Sequence, residues 1–233
     1  MKQEIIQLKN VSKYYKMGEA VVKAIDALSI SIKAGDFVAI MGPSGSGKST
    51  CMNLVGSLDT PTKGHIFLDG KDISKMSESE LAQIRGKKIG FIFQSFNLIP
   101  NLTAKENVAL PMMFQGLSQE KRNQKALKLL SLVELENRAD HYPNQLSGGQ
   151  MQRVAIARSL ANEPEVILAD EPTGNLDSKT GEIVMNFLEK LNKNGKTIIM
   201  VTHDSNLALS HASKVYWLRD GKLEKVTKGK KKK

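Results

Sequence analysis

DFVAIMGPSGSGKST, residues 36–50, is the stretch on which the architecture turns. Residues 36–41, apolar after Asp36, read as a short buried strand. It passes directly into the glycine-rich turn Gly42, Pro43, Ser44, Gly45, Ser46, Gly47, after which Lys48, Ser49 and Thr50 open a helix. The spacing G-x-x-x-x-G-K-[ST] therefore stands in the strand–loop–helix context that gives it meaning. Glycines let backbone N–H groups turn inward around phosphate oxygens, and the helix N-terminus adds its partial positive charge. Lys48 can bridge the β- and γ-phosphates of a nucleotide, and the Ser49 hydroxyl can ligate Mg²⁺. This loop alone implies nucleotide binding without choosing among the many proteins that bind nucleotides.

Working outward, residues 5–9 and 21–32 read as antiparallel strands joined by a turn-containing loop at 15–20. Further strands are predicted at 65–68, 89–93, 166–169, 196–201 and 214–218, with Asp220-Gly221 as the turn of a closing hairpin. The middle of the chain differs in kind. Thr103 and Glu106 have the spacing of a capping box before an apolar helix. Residues 119–133 then repeat at helical period, with Ala126, Leu129, Leu130 and Val133 on one face. A mostly helical segment at about 97–143 thus interrupts an alternating α/β pattern. The fold class read here is α/β: a P-loop NTPase core with a mainly parallel sheet, an N-terminal antiparallel β layer and an inserted α-helical subdomain. One domain is expected over 1–227, the helical insertion at about 97–160, and a basic tail at 228–233.

Two more segments carry chemistry. The apolar residues 166–169 end in Asp170-Glu171, carboxylates at the end of a buried strand, where the ligand-binding edge of a parallel sheet lies. Asp170 can hold Mg²⁺ through its water, and Glu171 can orient or deprotonate an attacking water. In Leu146-Ser-Gly-Gly-Gln150, Ser147 can cap a following helix while Gly148 and Gly149 expose N–H groups at its positive end. That is a second phosphate-binding surface, which a single nucleotide does not obviously need.

LSGGQ at 146–150, continued by MQRVAIARSL at 151–160 and LADEPTGNLD at 168–177, resembles the ATP-binding cassette (ABC) family, and the resemblance runs from about residue 5 to 222. It implies ATP and Mg²⁺ as cofactors and further site residues. Gln94 matches the Q-loop glutamine that contacts Mg²⁺ and senses the transporter. Asp177 matches the D-loop aspartate, His203 the switch histidine on the γ-phosphate, and Tyr15 the aromatic that stacks on adenine. Neighbouring strand residues face opposite ways, so Tyr14 is not expected to stack as well. The resemblance also implies a homodimer that sandwiches two ATP molecules, each site taking Ser147, Gly149 and Gln150 from the opposite subunit, with both sites active. A transmembrane permease partner and a peripheral position on the cytoplasmic side of the cell membrane follow from it. Tyr15-Lys-Met-Gly18, QSFNLIPNLTAKENVALP at 94–111 and Pro172-Thr-Gly-Asn175 look like the lipoprotein-release and macrolide-efflux (LolD/MacB-like) group. A groove for a permease helix is expected to draw on Phe96, Leu98, Ile99, Leu110 and Met113.

Composition bounds these readings. At 233 residues and 40% hydrophobic, the chain can bury a sizeable aliphatic core, yet no apolar run approaches the roughly 20 residues that cross a bilayer. The N-terminus has neither h-region nor cleavage site, so export is not expected. The single cysteine, Cys51, fits a reducing compartment. It reads as a small buried hydrophobe, or as a thiol that the helix N-terminus pushes toward thiolate. The formal net charge is +10, but five lysines at 228 and 230–233 leave residues 1–227 with +5, so the excess is partly a tail effect. The alternative is a non-transport ABC ATPase acting on DNA or the ribosome. A DNA-acting member would place a long coiled coil between Lys48 and Ser147, where roughly one hundred residues show no heptads. A ribosomal factor would carry two cassettes. No specific nucleic-acid partner is expected.

Overall fold

The structure, a computed structural model, describes residues 3–229, with the Met17 side chain excepted. In chain order the elements are β1 (Glu4–Met17), β2 (Ala20–Lys33), β3 (Phe37–Met41), α1 (Lys48–Val55), β4 (Lys63–Leu68), β5 (Lys71–Asp72), α2 (Glu78–Lys88) and β6 (Ile89–Ile92). They continue with α3 (Ala104–Met113), α4 (Gln119–Leu132), α5 (Gly148–Ser159), β7 (Val166–Asp170), α6 (Ser178–Lys193), β8 (Thr197–Val201), α7 (Ser205–His211), β9 (Lys214–Arg219) and β10 (Lys222–Lys228). The chain divides into two units, one running up to Arg85 and resuming at Gly195, the other spanning Gly86–Asn194.

In the first unit, β3 pairs in parallel with β8 from Phe37↔Ile198 to Ile40↔Val201, and with β9 from Val38↔Lys214 to Met41↔Trp217. Every residue of β3 and of β8 is buried, the unbroken apolar pattern of parallel strands covered on both faces. Asp220 (φ 48) and Gly221 (φ 75) turn β9 into antiparallel β10, as the Asp-Gly pair predicts. Lys228 closes β10 opposite Lys214, so the strand takes the first residue of the expected tail. Residues 230–233 of that tail lie outside the described residues.

The N-terminal layer is an antiparallel sheet in the order β2-β1-β4-β5. Here the expected loop at 15–20 is corrected: β1 runs on to Met17 and β2 begins at Ala20, leaving only Gly18 and Glu19 as the turn. The hydrophobic alternation that would have revealed the longer strands is broken by four register shifts, two of them flanking Val11. Between Leu8↔Ile30 and Val11↔Leu28, β1 advances three residues for two; between Val11↔Leu28 and Lys13↔Ile25, β2 does the same. Asn10 (φ 48) and Ala27 (φ 52) absorb the extra residues, and the serines opposite satisfy them: Asn10 N–H donates to Ser29 Oγ at 3.0 Å and Ala27 N–H to Ser12 Oγ at 2.9 Å. The two slips compensate, which keeps Ile6, Leu8 and Val11 buried together with Ile25, Leu28, Ile30 and Ile32.

In the second unit β6 and β7 form a parallel pair from Ile89↔Val166 to Ile92↔Ala169. Helix α3 starts at the predicted capping box, with Thr103 accepting from Glu106 N–H and Glu106 accepting from Thr103 N–H at 2.8 Å. Of the α4 face, Ala126, Leu130 and Val133 are buried and Leu129 half-buried. Buried Asn107 fastens the loop before α3, accepting from Ile99 N–H at 2.8 Å and donating to the Leu102 and Thr103 carbonyls at 2.9 and 3.0 Å. Besides α3, α4 and α5, which fall within 97–160, this unit holds β6, β7 and α6.

Candidate functional site

Each unit carries candidate site residues on its own backbone. In the first, the phosphate loop leaves β3 and ends at Gly47, the N-cap of α1, at φ 95 and ψ 7. A Cβ at Gly47 would stand 2.4 Å from the Ala24 carbonyl oxygen, so both the dihedral and the space demand glycine. The loop is anchored from behind: Ser46 accepts from Gly221 N–H at 3.1 Å, and Gly221 in turn accepts from Asp26 N–H at 2.9 Å. Lys48 folds back over the loop and donates to the Gly42 and Pro43 carbonyls, each at 2.8 Å. Pro43, Ser44, Gly45 and Ser49 are exposed, Thr50 is half-buried and Ser46 is buried.

Tyr15 is 36% exposed near the end of β1. Its hydroxyl donates to Asp59 Oδ2 at 2.8 Å, and Lys13, ion-paired to Asp59 at 2.5 Å, lies 5.1 Å from the ring centroid. Partial burial and then the Asp59 hydrogen bond raise the phenol pKa. Burial alone would raise Asp59, but hydrogen bonds from Lys13 and Tyr15 outweigh it and hold the carboxyl below its usual value. Tyr14 turns the other way and donates to Asp26 at 3.3 Å, as strand alternation requires. His203 is exposed just past β8, followed by Asp204, whose carboxylate caps α7 by accepting from the Asn206 and Leu207 N–H groups. Cys51 is the small buried hydrophobe of the first reading, and the thiolate alternative is corrected: it is fully buried, and burial pushes its thiol up to about 12.

The second unit brings Gln94, Ser147–Gln150, Asp170, Glu171 and Asp177 onto neighbouring elements. Ser147 caps α5 with a complete capping box: Gln150 N–H donates to Ser147 Oγ at 3.3 Å, and Ser147 N–H to Gln150 Oε1 at 2.9 Å. At Gly149 an added Cβ would meet Thr180 Cγ2 at 2.2 Å, so α5 and α6 approach closely there. Asp177 caps α6, accepting from Thr180 N–H at 3.0 Å and from its hydroxyl at 2.6 Å; these bonds hold the Asp177 carboxyl below its usual range. Asp170 ends β7, half-buried, and Glu171 follows at φ 43, left-handed backbone that a residue with a Cβ rarely adopts. Gln94 is exposed, and its carbonyl accepts from Asn175 Nδ2 at 2.9 Å, which ties the segment after β6 to the turn after β7.

Some supporting residues escaped the sequence reading. Arg158, largely buried, donates to the Phe96 carbonyl at 2.7 Å and also to the Asn97 carbonyl, two residues in left-handed backbone beyond Gln94. Gln152, fully buried, donates to the Pro172 carbonyl at 2.7 Å. Asp59 holds Tyr15. Their partners are backbone atoms or residues distant in sequence, so no local pattern flags them. Of the expected docking residues, Ile99 and Met113 are exposed while Phe96, Leu98 and Leu110 are half-buried. Phe114, not anticipated, is 74% exposed beside them in sequence. Among the described residues, no helix is long and apolar enough to cross a membrane.

Comparison with known proteins places these features. A family model described as "ABC transporter" matches residues 25–174. The chain is 55% identical to an uncharacterised ABC transporter ATP-binding protein of Methanocaldococcus jannaschii, covering 96% of this chain and 97% of that one. It is 49% identical, over 94% of its length but only 34% of the relative's, to the macrolide export ATP-binding/permease protein MacB of Hyphomonas neptunium. A solved structure of the same M. jannaschii protein, described as the dimeric post-hydrolysis state of the cassette bound to ADP and Pi, superposes with a TM-score of 0.89 at 53% identity, covering 97% of this chain and 99% of that one.

Proposed function

The chain belongs to the ABC transporter ATP-binding family, and from that premise we propose how its residues divide the labour of an ATP-hydrolysing transporter subunit. The observation that carries the reading is the N-terminus of α1, capped by a glycine that has no side chain to offer its first N–H groups. Those groups, with Lys48 beside them, suit the β- and γ-phosphates of ATP. Tyr15, steadied by Asp59, would stack on adenine. Glu171 would orient the attacking water and accept its proton, and His203 and Lys48 would stabilise charge on the transferring γ-phosphoryl group.

Ser49, Gln94 and Asp170 offer a hydroxyl, an amide oxygen and one carboxylate. Among the described residues no three His, Cys, Asp or Glu side chains gather into a metal site of their own. An oxygen-only set with few carboxylates suits Mg²⁺, which keeps waters and substrate phosphate oxygens among its ligands. Bound there, Mg²⁺ would supply charge neutralisation at the phosphates.

The capped N-terminus of α5, with Ser147, Gly149 and Gln150, would close over the nucleotide of a second copy of the chain, Asp177 lying at the same face. The dimeric form of the M. jannaschii cassette supports this arrangement. Fusion of ATP-binding and permease functions in MacB supports a transmembrane permease partner, which would hold the chain peripherally on the cytoplasmic side of the membrane, in the lipoprotein-release and macrolide-efflux group. Exposed Ile99, Met113 and Phe114 supply an apolar surface for that contact.

Glu171→Gln tests the reading. Losing general-base help costs about 10²–10⁴ in rate, while removing a negative charge near the γ-phosphate eases closure. The variant is expected to bind ATP, turn over very slowly and dimerise in ATP by light scattering, whereas Lys48→Ala stays monomeric. Turnover at the wild-type rate would remove Glu171 from catalysis. A monomer at saturating ATP would refute the sandwich.

A further inference from the structure

Gln152 lies one turn into α5 and is fully buried. Its Nε2 donates to the Pro172 carbonyl at 2.7 Å, and its Oε1 has no hydrogen-bond partner among the described residues. A buried amide with its oxygen unmatched is a poor filler, since a methionine of similar volume would occupy the space without that cost. What the amide has and methionine lacks is the donor, and the donor is used on the residue immediately after Glu171.

That turn is strained. Glu171 is held at φ 43, and Pro172 has a fixed φ and no N–H to contribute. Such a conformation persists only where its surroundings over-determine it. Among the bonds that do so are Gly174 N–H to the Glu171 carbonyl at 3.0 Å and Gln152 Nε2 to the Pro172 carbonyl. The first is internal to the turn. The second comes from another element.

We propose that Gln152 is a positioning residue for Glu171: from inside α5, its amide holds the turn that directs the carboxylate toward the attacking water. This rests on the reading of Glu171 as general base. It also gives α5 two tasks. Its N-terminus, one turn before Gln152, carries Ser147 and Gly149, which face the nucleotide of the second copy in the proposed sandwich. A shift of α5 on closure therefore reaches Glu171 through one hydrogen bond, so that engaging one nucleotide sets the base that acts on the other.

Gln152→Met removes the donor and keeps the volume. A misplacement of about 1 Å costs about 10²-fold in a positioned reaction, so kcat is expected to fall at least about tenfold. Binding of a non-hydrolysable ATP analogue is expected to stay within about twofold, because the donor acts only through Glu171. In a Glu171→Gln background, where there is no base left to position, adding Gln152→Met is expected to change the residual single-turnover rate by less than about twofold. Unchanged kcat, an equal fold loss in both backgrounds, or an affinity loss as large as the rate loss would each overturn the proposal. Wild-type turnover by Glu171→Gln alone would remove the base itself, a separate failure of the underlying reading.

Should Gln152→Met not fold, Gln152→Glu decides. Burial raises that carboxyl's pKa and keeps it protonated, so its O–H can donate to Pro172. Its turnover relative to wild type is then expected to be highest at the acid end of the pH profile and to fall as the group ionises. A ratio flat with pH would sink the assignment.

Discussion

The N-termini of α1 and α5, both proposed to receive phosphate, are built in opposite ways. At α1 the cap is Gly47, in left-handed backbone, with no side chain to satisfy the first turn. At α5 the cap is Ser147, in ordinary extended backbone, and Ser147 and Gln150 satisfy each other. A capping box stabilises its helix by local bonds alone. A glycine cap does not, so the geometry of α1 must be imposed by neighbours: the Gly221 N–H on Ser46, and the Ala24 carbonyl packed against Gly47. The first terminus is made by tertiary structure, as suits the phosphate site proposed for it. The second is a helix end that stands by itself, as suits a surface proposed to meet nucleotide only when a second subunit arrives.

The sharpest way to break this contrast is to add the same methyl group at both ends. Gly47→Ala puts a Cβ 2.4 Å from a backbone oxygen at φ 95, where neither can yield cheaply. Left-handed backbone alone costs a residue with a Cβ about 1–2 kcal/mol, and the collision adds to it, so chemical denaturation is expected to show a loss of at least about 2 kcal/mol. Nucleotide binding is expected to disappear with it. A variant that binds ATP normally would show that the loop is not held as described.

Gly149→Ala meets something softer. Its Cβ would contact Thr180 Cγ2, a side-chain methyl, and Gly149 needs no positive φ. Alanine's helix propensity offsets part of the strain, so stability is expected to stay within about 1 kcal/mol of wild type. Dimerisation should suffer more. Thr180 cannot rotate away without losing its 2.6 Å bond to Asp177, so α5 and α6 must part at the proposed interface. Light scattering in ATP, in a Glu171→Gln background, is expected to show dimerisation weakened about tenfold, a change of about 1.4 kcal/mol. Thr180→Ser, which removes the methyl and keeps the hydroxyl, should restore it. Failure of that rescue would mean that the methyl contact is not the cause.

The same contrast explains what could be read from the chain before its structure. The phosphate loop, the capping box at Thr103, the cap at Ser147 and the Asp220-Gly221 hairpin are legible because their causes lie within a few residues. The run of β1 on to Met17 was not: the bulge at Asn10 breaks the alternation just where the expected strand stops. Cys51 left two readings open because two effects compete, and complete burial decides for the buried hydrophobe over the thiolate. The clamps by Gln152 and Arg158 reach backbone carbonyls 20 and 62 residues away, and nothing in a linear pattern reports such a bond.

The smallest expected effect is also the finest test of whether the α5 terminus has one role or two. Ser147→Ala removes the cap. Loss of a serine cap costs about 1 kcal/mol, and the Gln150 side chain still reaches the backbone N–H of residue 147, so part of the box survives. Ser147→Asp keeps a cap acceptor and adds a negative charge favourable to the helix dipole, so its stability should equal or slightly exceed that of wild type. If the terminus serves folding alone, dimerisation in ATP should follow stability, with Asp at least as good as Ser and Ala worst. If it also receives a partner's phosphates, the order separates: Asp should abolish dimerisation through like-charge repulsion in a water-poor interface, while Ala only weakens it. Denaturation curves and light scattering on the same three proteins, in a Glu171→Gln background, resolve the two orders. Parallel rankings would remove Ser147 from the nucleotide site and leave it as a cap.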